Sequence, residues 1–389
     1  MQHYDVIVVG AGPAGTTAAR HCAKSNLKTL LLEKERIPRY KPCAGGVSLA
    51  AAGELDFPIP DSLIERRCCG MSVIFGTLGN RVDCGSTIAY MVTRSSFDAY
   101  LVEKAAETGA EVQDRNACQS ISVDGLGVTI RAERGVYRAN VLVGADGFHS
   151  RVLKSLRPGF DRDEIRFCVI AELPITGARI YKMLGDRVEI NFSFIDKGYA
   201  WLFPKAEYIS AGVGGLPEKS KTIIQYFRNY LGMHGFRGNQ KIRGCFLPVS
   251  RFRHDVYTDR MLLVGDAAGF VDAFSGEGIR FAIASGRLAA QAVRYCHERN
   301  TFSAAALKVY QDSCRDLMAD DLLQSIRLTD LLFRYPRLLL GTAVVNDSLL
   351  RRYLMTITGE ISFCEYADWV KMRLPLFLFN RIFRRKKSI

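Results

Sequence analysis

Gly10, Gly12 and Gly15 stand in the spacing Gly-x-Gly-x-x-Gly, directly after the branched apolar run at residues 4–9 and directly before residues 16–24, which read as a helix. In a strand, glycine turn and helix order, the first glycine closes a tight turn and the second lets backbone approach a pyrophosphate. The third lets the helix pack close to the strand, and the helix start presents amide N–H groups to an anion. A second branched run, residues 29–32, ends in Glu33. That lies roughly 20 residues past the turn, where a ribose-binding acid belongs. Strand, turn, helix and acid in register make a dinucleotide-binding unit rather than an ordinary glycine loop.

Two further acids follow apolar runs. Residues 142–147 end in Asp146-Gly147, and residues 261–264 lead into Gly265-Asp266-Ala267-Ala268-Gly269. Ligands of open α/β sheets bind at the carboxyl ends of parallel strands, so Asp266 is placed to accept hydrogen bonds from a ribityl hydroxyl. Downstream, Gly276, Gly278 and Ile279 open a helix whose residues Ile279, Ile283, Gly286, Ala290 and Val293 fall on one face. Amides at its start would face an anionic flavin N1/O2 edge.

Tyr199, Trp201 and Phe203 share one face of a strand by its period of two, while Ala200 and Leu202 share the other. Pro204 ends that strand, residues 209–213 return antiparallel, and Gly212 and Gly214 thin the partner beside an aromatic wall. A slot of this kind suits a polyprenyl chain; the plainer reading is sheet core, where aromatics are common. Cys43 follows a turn at residues 38–42 and precedes Gly45-Gly46. It reads as a proton donor or as a small packing residue.

The chain resembles the FAD-dependent aromatic hydroxylase superfamily over nearly its first 300 residues, through the glycine turn, Gly265-Asp266 and Arg94-Ser95-Ser96-Phe97-Asp98 with Leu101, Ala105 and Gly109-Ala110-Glu111. Within it, two stretches resemble geranylgeranyl reductases: residues 198–204 followed after seven residues by Gly212-Val213-Gly214, and Lys41-Pro42-Cys43-Ala44-Gly45-Gly46, where Ala44 departs from the commoner glycine. The resemblance implies a flavoenzyme that saturates C=C bonds of geranylgeranyl groups on a lipid or another prenylated molecule. The rivals are a monooxygenase hydroxylating an aromatic or quinone and a non-catalytic membrane-associated flavoprotein. FAD is expected at Gly10, Gly12, Ala14, Gly15, Glu33, Lys34, Cys43, Ala44, Gly46, Arg94, Cys118, Asp266, Gly276, Gly278 and Ile279. Substrate is expected at Tyr199, Trp201, Phe203, Gly212 and Gly214, and Asp146 is expected to organise the site from behind. Cys43 is the expected proton donor, with Tyr199 and ordered water as rivals. No second dinucleotide fingerprint appears, so the electron donor stays open between NADPH and a reduced ferredoxin.

These residues require an α/β fold: a Rossmann-like FAD-binding domain interleaved with an antiparallel-sheet substrate domain and followed by a helical C-terminal region. Residues 1–58, 93–158 and 255–300 are assigned to the first, 59–92 and 159–254 to the second, and 301–389 to the third. At 389 residues, 48% hydrophobic and 24% charged, the chain can bury a large core, which excludes a disordered or disulfide-stapled module. Eleven scattered cysteines without a Cys-x-x-Cys pair, and six isolated histidines, point to a reducing cytosol and to no metal site. No apolar run approaches the ~18 residues of a spanning helix, and the start lacks an export pattern. The net charge is +13; residues 371–389 hold seven basic residues and no acid, leaving 46 basic against 40 acidic elsewhere. Because they flank the apolar run at residues 374–379, an anionic membrane surface is the expected partner rather than nucleic acid. The expected location is cytoplasmic, peripheral at the inner face of the membrane.

Overall fold

Five strands lie side by side in parallel, in the order Met261–Leu263, Gly135–Gly144, Gln2–Val9, Thr29–Leu32 and, as the polar edge, Glu111–Gln113. Val6, Ile7, Val8, Leu30, Leu31, Leu142 and Val143 are all buried, as expected of parallel strands covered on both faces. The short strand Tyr257–Thr258 adds antiparallel at one edge, and the ribbon Cys118–Asp124 and Gly127–Ala132 extends from Gly135–Gly144. Helices Pro13–Lys24, Arg94–Ala106 and Ile279–Glu298 belong to the same body. A Cβ on Gly286 would fall 2.3 Å from the Ala14 carbonyl oxygen, so glycine there allows the first and third of these helices to touch.

The computed structural model describes residues 2–216 and 220–385. The chain forms two compact units: Met1–Lys41, Arg94–Ile165 and Leu247–Leu322 in the first, Pro42–Thr93, Arg166–Phe246 and Leu323–Ile389 in the second. Residues 42–58 therefore fall in the second unit, not with the sheet above. Strand Gly46–Ser48 pairs there with Ala89–Met91, which also pairs with Arg66–Cys68. The stretch after Thr301 is divided as well. Leu307, Tyr310 and Cys314 are buried in the first unit's core, and the Tyr310 hydroxyl donates to the Leu263 carbonyl at 2.6 Å.

The second unit holds a seven-stranded sheet in the order Arg243–Pro248, Ile165–Pro174, Tyr208–Gly215, Tyr199–Pro204, Arg187–Asn191, Gly70–Phe75, Leu78–Asp83. The sheet is mixed rather than purely antiparallel, because Arg187–Asn191 and Gly70–Phe75 run parallel. The chain between them is long, and parallel neighbours need such a connection, whereas the neighbours Tyr199–Pro204 and Tyr208–Gly215 close as a hairpin. Helices Pro336–Val344, Asp347–Thr358 and Phe363–Arg385 complete the unit. Pro336 sits at a helix start, and Gly359 takes a left-handed φ of +83° to end the helix before it. Pro375 does not break the last helix, which runs through it to Arg385. Among the described residues, no helix is long and apolar enough to cross a membrane.

Candidate functional site

Register gathers the acids and glycines of the first unit. Val9 is level with Leu32 and with Gly144, and Gly144 with Leu263, so the turns carrying Gly10, Glu33, Asp146 and Asp266 leave the same end of the parallel sheet. Gly10 has φ +104°, and a Cβ there would lie 2.3 Å from the Ala145 carbonyl oxygen. A Cβ on Gly15 would lie 1.8 Å from the Gly10 carbonyl oxygen. Around Gly12 there is room instead: the nearest atom to its missing Cβ is Arg39 Nη2 at 3.8 Å. Gly12 caps helix Pro13–Lys24 without any side-chain hydrogen bond, and Gly278 does the same for helix Ile279–Glu298. Both helix starts thus keep first-turn amides for an anionic group, as a bound dinucleotide requires. Asp266 lies beside the second start, its Oδ1 3.5 Å from the position of a Cβ on Gly278, and Ile279 is buried.

Glu33 is buried and hydrogen-bonded on both oxygens: Oε2 accepts from Ala11 N at 2.9 Å and Oε1 from Glu35 N at 3.0 Å. Arg39 was not among the expected residues, yet it joins this site to the Arg94 helix. Its Nε is 3.2 Å from Glu33 and its Nη1 is 3.1 Å from Asp98. Arg94 closes the chain of charges with two bonds to Asp98, at 2.7 and 2.9 Å. Arg94 is therefore a buried ion-pair partner within its own helix. A second unexpected cation, Lys41, places Nζ 3.8 Å from Asp266 Oδ2. Lys34, in contrast, is exposed.

Asp146 works on its own backbone. It accepts from the Ser150 hydroxyl and from Arg151 N at 2.7 Å, securing the start of helix Arg151–Leu156. Burial raises its carboxyl above the ordinary range. Cys118 is buried, and its thiol is pushed up to about 11, first by burial and then by Asp146. Cys22, Cys68 and Cys314 are likewise pushed up to about 12 by burial and behave as small core hydrophobes. Asp161, Glu164 and His254 bring ligand atoms within 4.8 Å of one another, but His254 and Arg253 already pair with Asp161, at 3.1 and 3.5 Å.

Within the second unit, the Cys43 tract and the aromatic strand meet. A Cβ on Gly46 would come within 2.8 Å of the Phe203 ring, and Lys205 Nζ, one residue past Pro204, donates to the Gly45 and Val92 carbonyls, both at 2.9 Å. Gly45 takes φ +67°, and its N–H donates to Cys43 Sγ at 3.4 Å. Cys43 and Ala44 are half-buried. Tyr199 and Trp201 meet edge-on with ring centroids 6.0 Å apart, and Phe192 flanks Tyr199 at 5.8 Å.

Gly212 and Gly214 do not leave an empty slot. A Cβ on Gly212 would lie 2.1 Å from Trp201 Cζ2 and one on Gly214 3.5 Å from Cζ3, so the indole itself fills the room the glycines leave. Trp201 is 8% exposed, and its buried indole N–H has no partner among the described residues. Tyr199 and Phe203, both half-buried, are the less enclosed rings of the wall.

Residues 3–171 match the FAD binding domain model. The digeranylgeranylglycerophospholipid reductase of Thermoplasma volcanium is 31% identical over 343 residues, covering 81% of this chain and 84% of that protein. The chloroplastic geranylgeranyl diphosphate reductase of Nicotiana tabacum is 32% identical over 318 residues, covering 74% of this chain and 65% of its own length. A geranylgeranyl bacteriochlorophyll reductase-like protein from Thermoplasma acidophilum superposes with a TM-score of 0.81 at 23% identity, over 98% of both chains. The uncapped helix starts, the open face of Gly12 and the acids at the strand ends fit FAD.

Proposed function

The chain belongs to the geranylgeranyl reductase family of FAD-dependent oxidoreductases, and we propose that it saturates C=C bonds of geranylgeranyl groups carried on a membrane lipid. FAD, when bound, supplies the hydride. The chain's own residues bind, orient and deliver a proton. The amides after Gly12 and Gly278 hold anionic groups, and Asp266 and Glu33 accept hydroxyl hydrogens. Reduction of an isolated alkene also needs a proton on the carbon next to the one that takes the hydride. Cys43 holds that proton at Sγ, where the Gly45 N–H fixes the sulfur.

The observation that carries the reading is the meeting of the Cys43 tract with the aromatic strand through Gly46, Phe203 and Lys205. It gives one unit both a proton-bearing sulfur and an apolar aromatic face, which are the two things a prenyl alkene requires. The cytoplasmic, membrane-peripheral placement belongs to the same proposal, since such a substrate resides in the bilayer.

The test is anaerobic turnover of FAD-loaded protein reduced by dithionite, offered digeranylgeranylglycerophospholipid or geranylgeranyl diphosphate, with products read by mass spectrometry. Uptake of two hydrogens per double bond is expected, faster on the lipid. Cys43→Ser should slow this uptake while dithionite still bleaches the flavin. NADPH-dependent oxygen uptake with a hydroxylated aromatic product, and no hydrogen uptake on either prenyl compound, would replace the reading with a monooxygenase.

A further inference from the structure

Lys205 is 1% exposed, among the largest fully buried side chains of the protein. Its ammonium touches two carbonyl oxygens, those of Gly45 and Val92, and among the described residues no carboxylate contacts it. Burial of an ammonium on neutral partners alone is costly, so its surroundings decide what the charge does. Cys43 lies on the turn whose Gly45 carbonyl the ammonium holds and is one of its ionisable neighbours, with Glu65, Cys68 and Glu172. The other three do not sit on the turn that it clamps. Glu65 keeps its negative charge but is held by the Thr93 hydroxyl and by Ala206 N at 3.2 Å, and among the described residues it makes no ion pair with the Lys205 ammonium. Cys68 is kept protonated by burial, and Glu172 faces solvent. The nearby guanidinium of Arg66 donates to the Lys205 carbonyl at 3.4 Å and pairs with Asp186 at 3.0 Å, so it adds no anion.

We propose that Lys205 is a positioning residue: its buried ammonium clamps the Cys43–Gly46 turn to the end of the aromatic strand and serves as the counter-charge of the Cys43 sulfur. The clamp is geometric. Gly45 is left-handed, and a Cβ there would lie 2.7 Å from Lys205 Nζ and 2.2 Å from the Val92 carbonyl oxygen, so turn, lysine and strand end fit only together. When Cys43 gives its proton to carbon, the sulfur is left negative beside a fixed positive charge that water cannot screen. This catalytic part rests on the proton-donor reading of Cys43; the clamp and the charge pairing do not.

The test therefore avoids turnover. Iodoacetamide alkylation of Cys43 is followed by peptide mass spectrometry, with exposed Cys84 of the same molecule as the internal reference. Lys205→Gln keeps N–H donors for the two carbonyls but removes the charge, and Lys205→Met removes both. Alkylation of Cys43 relative to Cys84 at neutral pH should fall on the order of tenfold in Lys205→Gln at an unchanged melting temperature. Lys205→Met should fall at least as far. An unchanged Cys43 to Cys84 ratio in folded Lys205→Gln overturns the proposal. If neither variant folds, the same ratio is read in Lys205→Arg, which keeps the charge, and a fall of about tenfold there overturns the proposal. Normal alkylation shifts with no prenyl reduction by the wild type would sink the functional reading and leave this one standing.

Discussion

Arg39 touches two buried carboxylates, Glu33 and Asp98, so it is the residue whose loss should be felt furthest. Arg39→Met leaves Glu33 without a cation and Asp98 with Arg94 alone. A loss of roughly 3 to 5 kcal/mol is expected, as when one partner of a buried pair is removed. Chemical denaturation together with retained flavin absorbance measures it, and an unchanged midpoint would show the network to be ornamental. Lys205 makes the opposite kind of prediction, one of pH. Burial lowers it from 10.5 to about 8 in the folded protein, against attraction from Cys43. Below about pH 8 both states carry the proton and the burial penalty is fully present. Between about 8 and 10.5 the unfolded chain holds the proton that the folded one has released, so stability rises with pH. Wild type should gain up to roughly 3 kcal/mol on Lys205→Met across that window; parallel curves for the two proteins would exclude a depressed lysine. The glycine turn was legible in sequence through its spacing after an apolar run and through the local constraint that Gly15 meets the Gly10 carbonyl five residues back; the close approach of Ala145 to Gly10 is long-range and was not. Arg39 and Lys205 were not, because Asp98, Gly45 and Val92 lie far along the chain and neither residue's type hinted at burial.

At the scale of elements, the hairpin of Tyr199–Pro204 and Tyr208–Gly215 followed from period-two patterning and a proline stop, and the structure has it. What patterning could not say is which atoms fill the room that two glycines leave. Gly212 and Trp201 are directly paired across the two strands, and the indole lies over the glycine. Gly212→Ala must push the ring aside at a cost of roughly 1 to 3 kcal/mol, the usual penalty for overpacking. In a Trp201→Ala background the same substitution should cost much less, because the ring it strikes is gone. Thermal melts of the two single variants and the double variant read that coupling. Additive losses would mean that the glycine serves something other than the indole. If Trp201→Phe keeps near-normal stability but loses turnover on long prenyl chains, the wall acts on substrate as well as on the sheet. The parallel pair of Arg187–Asn191 with Gly70–Phe75 was out of reach of the sequence for a different reason. Its register is set by pairing across a connection that includes part of the first unit, and no local signal reports such a partner.

For the molecule as a whole, the uneven charge is the feature that composition reveals best, and residues 371–389, which begin within the last helix, hold seven basic residues and no acid. Met372 and Leu376 are 74% and 54% exposed, whereas Phe377 is buried and packs on Trp369 at 5.5 Å, so only part of the apolar run is available to a surface. Arg373 stacks over Trp369 at 5.0 Å, and Lys371 pairs with Asp368 at 2.9 Å. The side chains of Phe379 and Phe383, and all of Lys386 and Lys387, lie outside the described residues. The helix thus has an inward face, which favours a docked element ending in a basic stretch over a free amphipathic anchor. Basic residues near an anionic bilayer contribute about 1 kcal/mol each, enough together for reversible binding without a spanning segment. Deleting residues 380–389 removes Arg381, Arg384, Arg385, Lys386 and Lys387 and spares the Phe377 to Trp369 contact. The truncated protein should keep its melting temperature and its flavin but lose sedimentation with anionic vesicles. Full-length protein should bind those vesicles at low salt, release them as salt rises, and ignore neutral ones throughout. Equal partitioning of the two proteins onto anionic vesicles would move the membrane contact away from this tail, leaving exposed Met372 and Leu376 as the side chains to substitute next.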